Sequence, residues 1–476
     1  MPFSLKTEIG QPIRQHWRQG WPWLLLLAVS ALLHLWRLAE PAEVAFDESL
    51  VGRFASYYFS GEYYFDIHPP HMKLIYAALG ALAGVPQGFS FHPHGLHYPG
   101  GFYLWMRLFP ALCGAVLPLL VARLALDFGA ARRWALCAGW LAAFDTVLMV
   151  ESRFILNDIP LLTFGLAGWC GMAAWRRQGK KPHLLLGALA LGLACGVKWT
   201  GLGFVAPVLA ALALEGFPAI GSIWQNIRRQ WRAKTGAFLA IAAVILLVQG
   251  GGYALHFALL PKAGPGDAYM SAPMQQRLKE RRENPAGSDW LFTPYATLEL
   301  HRAMASYSSQ VSGHPYASPW YTWPWGWRGI FVWSSQNQPP ERIYMAANIA
   351  IWWPLALGAL YFLAALLPSP WRGANMGKPA APPAQSDYLL ALAYLVNFAP
   401  FFFIHRPMFI YHYFPALAVS YVMSARLATC AGLSRRWAWF FAAAGLLGFL
   451  WLAPVVYGLP IQASTFNALM LFDSWK

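Results

Sequence analysis

Residues 102–126 have the sequence FYLWMRLFPALCGAVLPLLVARLAL, an apolar run interrupted by only two charged side chains, Arg107 and Arg123. A run of about 20 apolar residues is long enough to cross the hydrocarbon core of a bilayer as a helix. The composition agrees, because 58% of the 476 residues are hydrophobic and 12% are charged, against about 25% charged in a soluble domain. The sequence therefore predicts an all-α polytopic membrane protein.

The apolar runs along the whole chain predict eleven transmembrane helices. Their approximate bounds are 21–38, 102–126, 134–150, 159–175, 183–198, 201–215, 236–257, 343–367, 388–404, 414–430 and 437–458. The first run has no small-residue cleavage site and is followed by Arg37 and Glu40, so we expect it to be retained as a helix. The five cysteines lie in or at the ends of these runs, which argues against a disulfide framework.

The Lys and Arg residues indicate how these helices are oriented. The net charge is +15, and the 35 Lys and Arg cluster in short segments between apolar runs, which argues against a nucleic-acid partner. Nineteen of them share one side of the membrane if the N-terminus is cytoplasmic, in agreement with the positive-inside rule. An odd number of spans then puts the C-terminus outside the cytoplasm.

This topology leaves two long loops outside the cytoplasm, residues 40–101 and 258–342. In the first loop, residues 49–59 and 70–84 have helical composition but are too short or too polar to cross, so we expect amphipathic helices there. On the opposite side, the Pro- and Ala-rich stretch that starts at Lys378 predicts a flexible linker. Any chemistry is expected on the outer side, where the long loops lie.

Asp47 and Glu48 follow the first span directly, at the outer face of the membrane. Partial desolvation there can raise the pKa of a carboxyl group toward the working pH, so a general base is one interpretation. A solvated acidic start of the loop is the other interpretation, since charged side chains are usually exposed.

The segment 63–73 of the same loop contains a double proline, Pro69-Pro70. The prolines fix a turn before a helix and present His68 and Lys73 near the headgroups, where a phosphate can bind. A snorkelling Lys and a capping His are the structural alternative.

Six ionisable residues interrupt the apolar runs, namely Arg107, Asp145, Glu151, Arg153, Asp158 and Lys198. A charge inside a span costs about 2.5–3.5 kcal/mol on insertion scales unless it is paired or hydrated. All except Asp145 fall near the outer ends of their spans, on the side of Asp47. We therefore expect a cavity that binds an anionic headgroup such as a phosphate, with ion pairs between helices as the structural alternative.

The second outer loop contains the aromatic segment 312–325, SGHPYASPWYTWPW. Rigid aromatic side chains can hold a sugar or a peptide, and an interfacial aromatic belt is the alternative. The candidates for acceptor or sugar binding are His314, Tyr316, Trp320 and, from the cavity, Asp158. Residues 405–407 and 411–413 lie at the outer junction of the ninth and tenth spans, within reach of the same cavity.

Several of these residues belong to short motifs that follow one another along the chain. They are Phe46-Asp47-Glu48, Tyr64-Phe65-Asp66-x-His68-Pro69-Pro70 with Lys73, Met106-Arg107, the stretch from Glu151 to Asp158, Lys198-Trp199-Thr200-Gly201, and His314-Pro315-Tyr316 with Pro319-Trp320. In this combination the chain resembles, from about residue 44 to residue 420, a bacterial version of the protein O-mannosyltransferase family in the GT-C glycosyltransferase superfamily.

The resemblance implies a single GT-C membrane domain over residues 1–476, in the bacterial cytoplasmic (inner) membrane, with its active site facing outward. It implies a polyprenyl monophosphate sugar as donor, typically mannose, transferred with inversion to Ser or Thr hydroxyls of exported proteins. By the same resemblance Asp47 is the general base, and Glu48 positions the acceptor or shares its proton. The residues that would hold the lipid phosphate are Arg107, Arg153, Lys198, His68 and Lys73.

No cofactor is implied, because fixed cations would take the place of a metal ion beside the phosphate. Related oligosaccharyltransferases use a metal, so a divalent cation at Asp47 and Glu48 is a second possibility. The cluster of His92, His94 and His97 lacks an accompanying Cys or carboxylate, which favours a polar loop over a metal site.

Two features depart from the family pattern. At about 85 residues the second outer loop is too short for the soluble MIR domain of eukaryotic relatives, and Asn157 stands where an apolar residue is expected. Two other functions stay open. One keeps the donor but uses a glycolipid or lipid A as acceptor, as the aminoarabinose transferases do, and the other is a lipid-linked sugar flippase, which would need its charges at the bilayer midplane.

Overall fold

The computed structural model describes residues 20–214, 223–284, 289–308, 313–367 and 383–476. Most of the predicted linker that starts at Lys378 lies outside these residues, as do the three basic residues that precede the first span.

Helices dominate the part of the chain described. The first half contains α1 (Trp21–Leu35), α2 (Glu48–Ser60), α3 (His71–Ala83), α4 (Phe102–Asp127), α5 (Arg132–Ala143), α6 (Thr146–Glu151), α7 (Asp158–Gln178), α8 (Lys181–Val197), α9 (Leu202–Leu214) and α10 (Ile223–Leu259). The second half contains α11 (Ala272–Glu283), α12 (Phe292–Ser308), β1 (Ile330–Ser334), β2 (Arg342–Met345), α13 (Ile349–Leu366), α14 (Gln385–Phe398), α15 (Phe414–Cys430), α16 (Arg435–Tyr457) and α17 (Ala463–Leu469).

Every predicted span overlaps helical structure, although residues 343–345 of the eighth span belong to β2. Within the described residues, five helical segments are long and apolar enough to cross a membrane by length and composition, namely Phe102–Asp127, Lys234–Leu259, Ile349–Leu366, Gln385–Phe403 and Arg435–Tyr457. The chain is thus an all-α polytopic membrane protein, whereas the count of eleven spans and the orientation of the termini stay predictions.

The prediction of one continuous helix over 134–150 is wrong, because the chain breaks between α5 and α6. Asp145 lies at the break, and one oxygen of its carboxylate accepts hydrogen bonds from the backbone N–H groups of Val147 and Leu148. These two bonds cap the start of α6. The other oxygen of Asp145 accepts from Trp352 Nε1 at 2.8 Å and from the Tyr421 hydroxyl at 2.7 Å. The Asp145 carboxylate thus accepts four hydrogen bonds, which stabilise the break between α5 and α6.

The first outer loop folds back onto the spans through α2 and α3. The ring of His71, at the start of α3, lies between Gly196 of α8 and Gly252 of α10, where a Cβ atom would come within 2.3 and 2.2 Å of the ring. His71 Nε2 also contacts the carbonyl oxygen of Val248 at 2.9 Å. Because α3 sits this close to α8 and α10, residues 47–70 are held over the ends of those spans.

The second outer loop contains α11, α12 and a two-stranded antiparallel sheet. In that sheet Ile330 pairs with Met345 and Ser334 with Arg342. A backbone bridge between Glu62 and Lys262 joins the two outer loops. Both loops therefore contribute to one layer next to the helix ends.

Candidate active site

Arg107 and Glu48 form a fully buried ion pair, and both side chains are 0% exposed. Arg107 donates from Nε and Nη2 to the two carboxylate oxygens of Glu48, each at 2.7 Å. Its remaining N–H groups reach the carbonyl oxygens of Leu38, Pro41 and Glu43. All five guanidinium donors are thus used within the protein, which corrects the expectation that Arg107 binds the lipid phosphate.

Glu48 is equally committed to the scaffold. Besides Arg107, its carboxylate accepts hydrogen bonds from the backbone N–H groups of Ala45 at 3.2 Å and Ile155 at 3.0 Å, and from the Tyr98 hydroxyl at 3.1 Å. These contacts tie the start of α2 to α4 and to the segment after α6. The expectation that Glu48 positions the acceptor directly is therefore corrected, because its oxygens are enclosed by protein donors.

Asp47, one residue earlier, is half-buried, and its carboxylate makes no hydrogen bond to the part of the chain that the structure describes. The preceding Phe46 has a φ of 49°, a left-handed conformation that costs a non-glycine residue free energy and is typical of functional sites. Burial raises the pKa of Asp47 to about 6; the charge of Lys198 opposes this shift, and the charges of Asp158 and Asp66 add to it. Asp47 is therefore a free carboxylate with a basicity suited to accepting a proton.

Lys73 holds the turn at the double proline. Its ammonium donates to Asp66 Oδ2 at 2.6 Å, to the His68 carbonyl at 3.0 Å and to the Pro69 carbonyl at 2.6 Å. The side chain is 1% exposed and all three donors are used, which corrects the expectation that Lys73 binds phosphate. These bonds fix the turn, and the turn holds the backbone of His68 in place.

Arg153 also serves the scaffold. It donates to the carbonyl oxygens of Val456 and Arg37, each at 2.8 Å, and lies 4.8 Å above the ring of Tyr457. It is 1% exposed and joins the end of α16 to the end of α1. Two of its five donors are thus used within the protein and its buried Nε has no partner among the described residues, so the binding of a phosphate by Arg153 stays a prediction.

Lys198 lies at the end of α8 and faces Asp47. Its Nζ donates to Asp158 Oδ1 at 2.8 Å and Oδ2 at 2.6 Å, and lies 5.1 Å above the ring of Tyr411. An ammonium has three donors, so one is left after the two bonds to Asp158. Lys198 therefore keeps one donor that is available to a ligand, whereas all five donors of Arg107 are used within the protein.

Arg406, His412 and His68 surround the same space. Arg406 is half-buried and makes no hydrogen bond or ion pair within the described residues. Burial, together with the charges of Lys198 and Arg406, lowers the pKa of His68 and that of His412 well below the usual range. The neutral imidazoles of His68 and His412 thus lie in the field of Lys198 and Arg406, and Lys198 in turn acts on Asp47. These four residues form the cation pocket.

The aromatic loop borders this pocket. His314 is exposed, with its ring 4.8 Å from that of Phe409, and the Ser318 N–H donates to the Met408 carbonyl at 2.8 Å. The ring of Trp323 stacks on that of His412 at 5.9 Å.

The other two predicted aromatic residues lie further away. Tyr316 is half-buried next to His314, to which its N–H donates at 3.2 Å. Trp320 packs against Phe398 and Phe402, at ring distances of 5.3 and 5.9 Å. His314 is thus at the rim of the cation pocket, while Trp320 packs among rings at the end of α14.

Sequence reasoning gave no role to Arg406, Tyr411 or His412, although it placed their segments at the cavity. The signal was present, because an arginine at the end of a span needs a partner. A metal at Asp47 and Glu48 does not fit the donor set, since both Glu48 oxygens are occupied by Arg107. Among the described residues, no group of three or more His, Cys, Asp or Glu side chains is placed to hold a metal ion.

Two family profiles match this chain. One, described as dolichyl-phosphate-mannose-protein mannosyltransferase, matches residues 24–260. The other, described as the C-terminal four-transmembrane region of protein O-mannosyltransferase, matches residues 295–475.

Curated relatives match about half of the chain. Dolichyl-phosphate-mannose–protein mannosyltransferase 1 of Candida albicans is 30% identical over 56% of this chain and 31% of its own length. Protein O-mannosyltransferase 1 of Drosophila pseudoobscura is 32% identical over 54% of this chain and 29% of its own length. The chain thus spans about a third of the length of the curated relatives it matches.

Solved structures match nearly the whole chain. The Saccharomyces cerevisiae protein O-mannosyltransferase Pmt1-Pmt2 complex bound to the sugar donor superposes with a TM-score of 0.83 at 18% identity, covering 96% of this chain and 93% of that one. ArnT from Cupriavidus metallidurans bound to undecaprenyl phosphate gives a TM-score of 0.50 at 14% identity, covering 94% of this chain and 76% of that one. These likenesses establish the fold.

Proposed function

The chain belongs to the protein O-mannosyltransferase family and has the GT-C fold, and from this premise we propose that it transfers mannose from a polyprenyl monophosphate to Ser or Thr hydroxyls of exported proteins. The observation that carries the proposal is a free carboxylate, Asp47, in the field of Lys198, which keeps a spare donor and shares the cation pocket with the unpaired guanidinium of Arg406. A base beside a site for an anion is what this transfer requires.

Asp47 is the general base of the proposed reaction. It accepts the proton of the acceptor hydroxyl while the hydroxyl oxygen forms a bond to C1 of the sugar. The bond between C1 and the phosphate oxygen breaks on the opposite face, so the configuration at C1 inverts. With a pKa of about 6, Asp47 is ionised at neutral pH and still basic enough to take the proton.

The cation pocket holds the phosphate of the donor. Negative charge grows on the phosphate as its bond to the sugar breaks, and fixed positive groups in a partly buried site stabilise that charge. Lys198 and Arg406 supply the charges, while the neutral His68 and His412 can each donate one N–H. No metal ion takes part in this proposal, because the pocket already supplies the positive charge.

The proposed setting is the bacterial cytoplasmic membrane, with the site on its outer face. The distribution of Lys and Arg supports a cytoplasmic N-terminus, and Asp47 follows the first span. An exported polypeptide would then reach Asp47 from outside, past His314 at the rim of the pocket.

The direct test is transfer of radiolabelled mannose from polyprenyl phosphate mannose by membranes that contain this protein, with products separated into protein and lipid fractions. The proposal predicts label in protein, released by chemistry that cleaves Ser- and Thr-linked sugars. Label in lipid would overturn the protein acceptor in favour of a glycolipid. Movement of the donor across the bilayer without transfer of label would overturn the enzymatic function in favour of a flippase.

A further inference from the structure

Glu151, the last residue of α6, is a buried carboxyl group that the proposed reaction does not use. It is 2% exposed, and no N–H or O–H group in the described part of the chain donates to it. Its carboxyl group is instead in hydrogen-bond contact with that of Asp158. Asp158 in turn accepts two hydrogen bonds from Lys198, at 2.8 and 2.6 Å.

The charges around Glu151 decide its protonation state. The groups that interact with it electrostatically are Asp158, Lys198, Asp47, Tyr76 and Tyr411. Two carboxyl groups in contact cannot both be ionised without strong repulsion, so one of them carries a proton. Lys198 donates to both oxygens of Asp158, which stabilises the anion there and leaves the proton on Glu151.

We propose that Glu151 is a neutral carboxylic acid that donates a hydrogen bond to Asp158 and thereby positions the Lys198 ammonium for the donor phosphate. Glu151 is a positioning residue, since it acts through Asp158 and Lys198. The inference rests on the proposed function only where a donor phosphate is concerned. The protonated state is argued from the burial of Glu151, its unpartnered Oε2 and the bonds of Lys198 to Asp158, and it does not depend on the proposed function.

The neutral state of Glu151 sets the charge of the site. With Glu151 protonated, the cations Lys198 and Arg406 balance the anions Asp47 and Asp158, and a donor phosphate meets no excess negative charge. Ionisation of Glu151 at alkaline pH would add one negative charge next to Lys198. Donor binding is therefore expected to weaken at alkaline pH.

Glu151→Gln is the decisive variant, because an amide has nearly the same shape, can donate to Asp158 and cannot ionise. Activity at neutral pH is expected to stay within about twofold of wild type, and the KM for the donor is expected to stay flat at alkaline pH where that of wild type rises. Glu151→Leu removes the donor, so its KM is expected to rise about tenfold or more, the scale of a lost hydrogen bond to a buried charge.

Two results would overturn the inference. One is a loss of activity above tenfold in Glu151→Gln, which would mean that the carboxylate itself is needed. The other is an alkaline rise in KM that is unchanged in Glu151→Gln, which would assign the titration to a group other than Glu151.

An infrared measurement keeps the inference separate from the proposed function. The wild-type minus Glu151→Gln difference spectrum of the purified protein is expected to contain the carbonyl stretch of a protonated carboxylic acid, whatever the substrate. A carboxylate band in its place would overturn the inference. If the acid band is present but wild type transfers no mannose, the proposed function fails and the protonation of Glu151 stands.

Discussion

Asp47 and Glu48 are neighbouring carboxylates with opposite environments. Glu48 is enclosed by protein donors and paired with Arg107, whereas the carboxylate of Asp47 has no hydrogen-bond partner among the described residues. These two adjacent residues thus have different roles: Glu48 is a structural anion, and Asp47 is the candidate base. The left-handed Phe46 makes this possible, because it turns the chain just before α2 begins.

The pH dependence of transfer should report on Asp47. Its pKa is raised from 3.8 to about 6, so below pH 6 the carboxyl group is protonated and cannot accept the hydroxyl proton. We expect kcat/KM to fall about tenfold per pH unit below about 6 and to level off above it. A profile that stays flat down to about pH 4 would contradict the assignment of Asp47 as the base.

Arg107→Ala should destabilise the fold rather than weaken donor binding. Removing the guanidinium leaves the Glu48 carboxylate buried without its ion-pair partner, which costs about 3–5 kcal/mol of unfolding free energy. A lower thermal midpoint in detergent is the expected measurement, with the exposed Arg53→Ala as a control of unchanged stability. A stable Arg107→Ala variant whose only defect is a higher donor KM would restore Arg107 to the phosphate site.

Arg406→Gln should act on the donor. Because Arg406 has no hydrogen bond or ion pair within the described residues, its loss removes a charge from the cation pocket without leaving an orphaned partner. The expected result is a donor KM raised about tenfold or more, on the scale of a charge-assisted hydrogen bond, with little change in thermal midpoint. The exposed neighbour His405→Gln is the matched control, and equal donor KM values for the two variants would remove Arg406 from the pocket.

At the scale of elements, the contact of α3 with α8 and α10 holds the outer loop in place. The His71 ring fills the space between Gly196 and Gly252. Both positions require glycine, because a Cβ atom at either one would overlap the ring. The length of an apolar run is a local property, which is why the sequence predicts the helices. The break before α6 depends on donors from Trp352 and Tyr421, more than 200 residues away, which a local pattern does not contain.

Gly252→Ala should disturb the site through this contact. Its Cβ atom would lie 2.2 Å from His71 Nε2, and the ring cannot move away because Gly196 confines its other side. Overpacking of this kind costs about 1–3 kcal/mol, measured as a lower thermal midpoint and reduced transfer. Gly251→Ala is the matched control, since nothing lies within 4 Å of its Cβ position. Equal stability of the two variants would contradict the tight packing.

At the scale of the whole molecule, charges in apolar surroundings fall into two groups. The sequence alone shows that placing these charges in the membrane costs free energy and that each charge needs a partner. It does not tell whether the partner is a ligand or another part of the chain, because that depends on the fold. Arg107 has carboxylate and carbonyl partners inside the protein for all its donors, whereas Arg406 and one donor of Lys198 stay available in the cation pocket.

The central claim is that Asp47 acts as the base in transfer from a polyprenyl phosphate sugar. The most direct measurement is single-turnover transfer from bound polyprenyl phosphate mannose, with donor affinity measured in parallel, for wild type, Asp47→Asn and the exposed control Glu62→Gln. We predict donor affinity within about twofold for all three and turnover lowered about 100-fold or more in Asp47→Asn alone. Unchanged turnover in Asp47→Asn would contradict the claim.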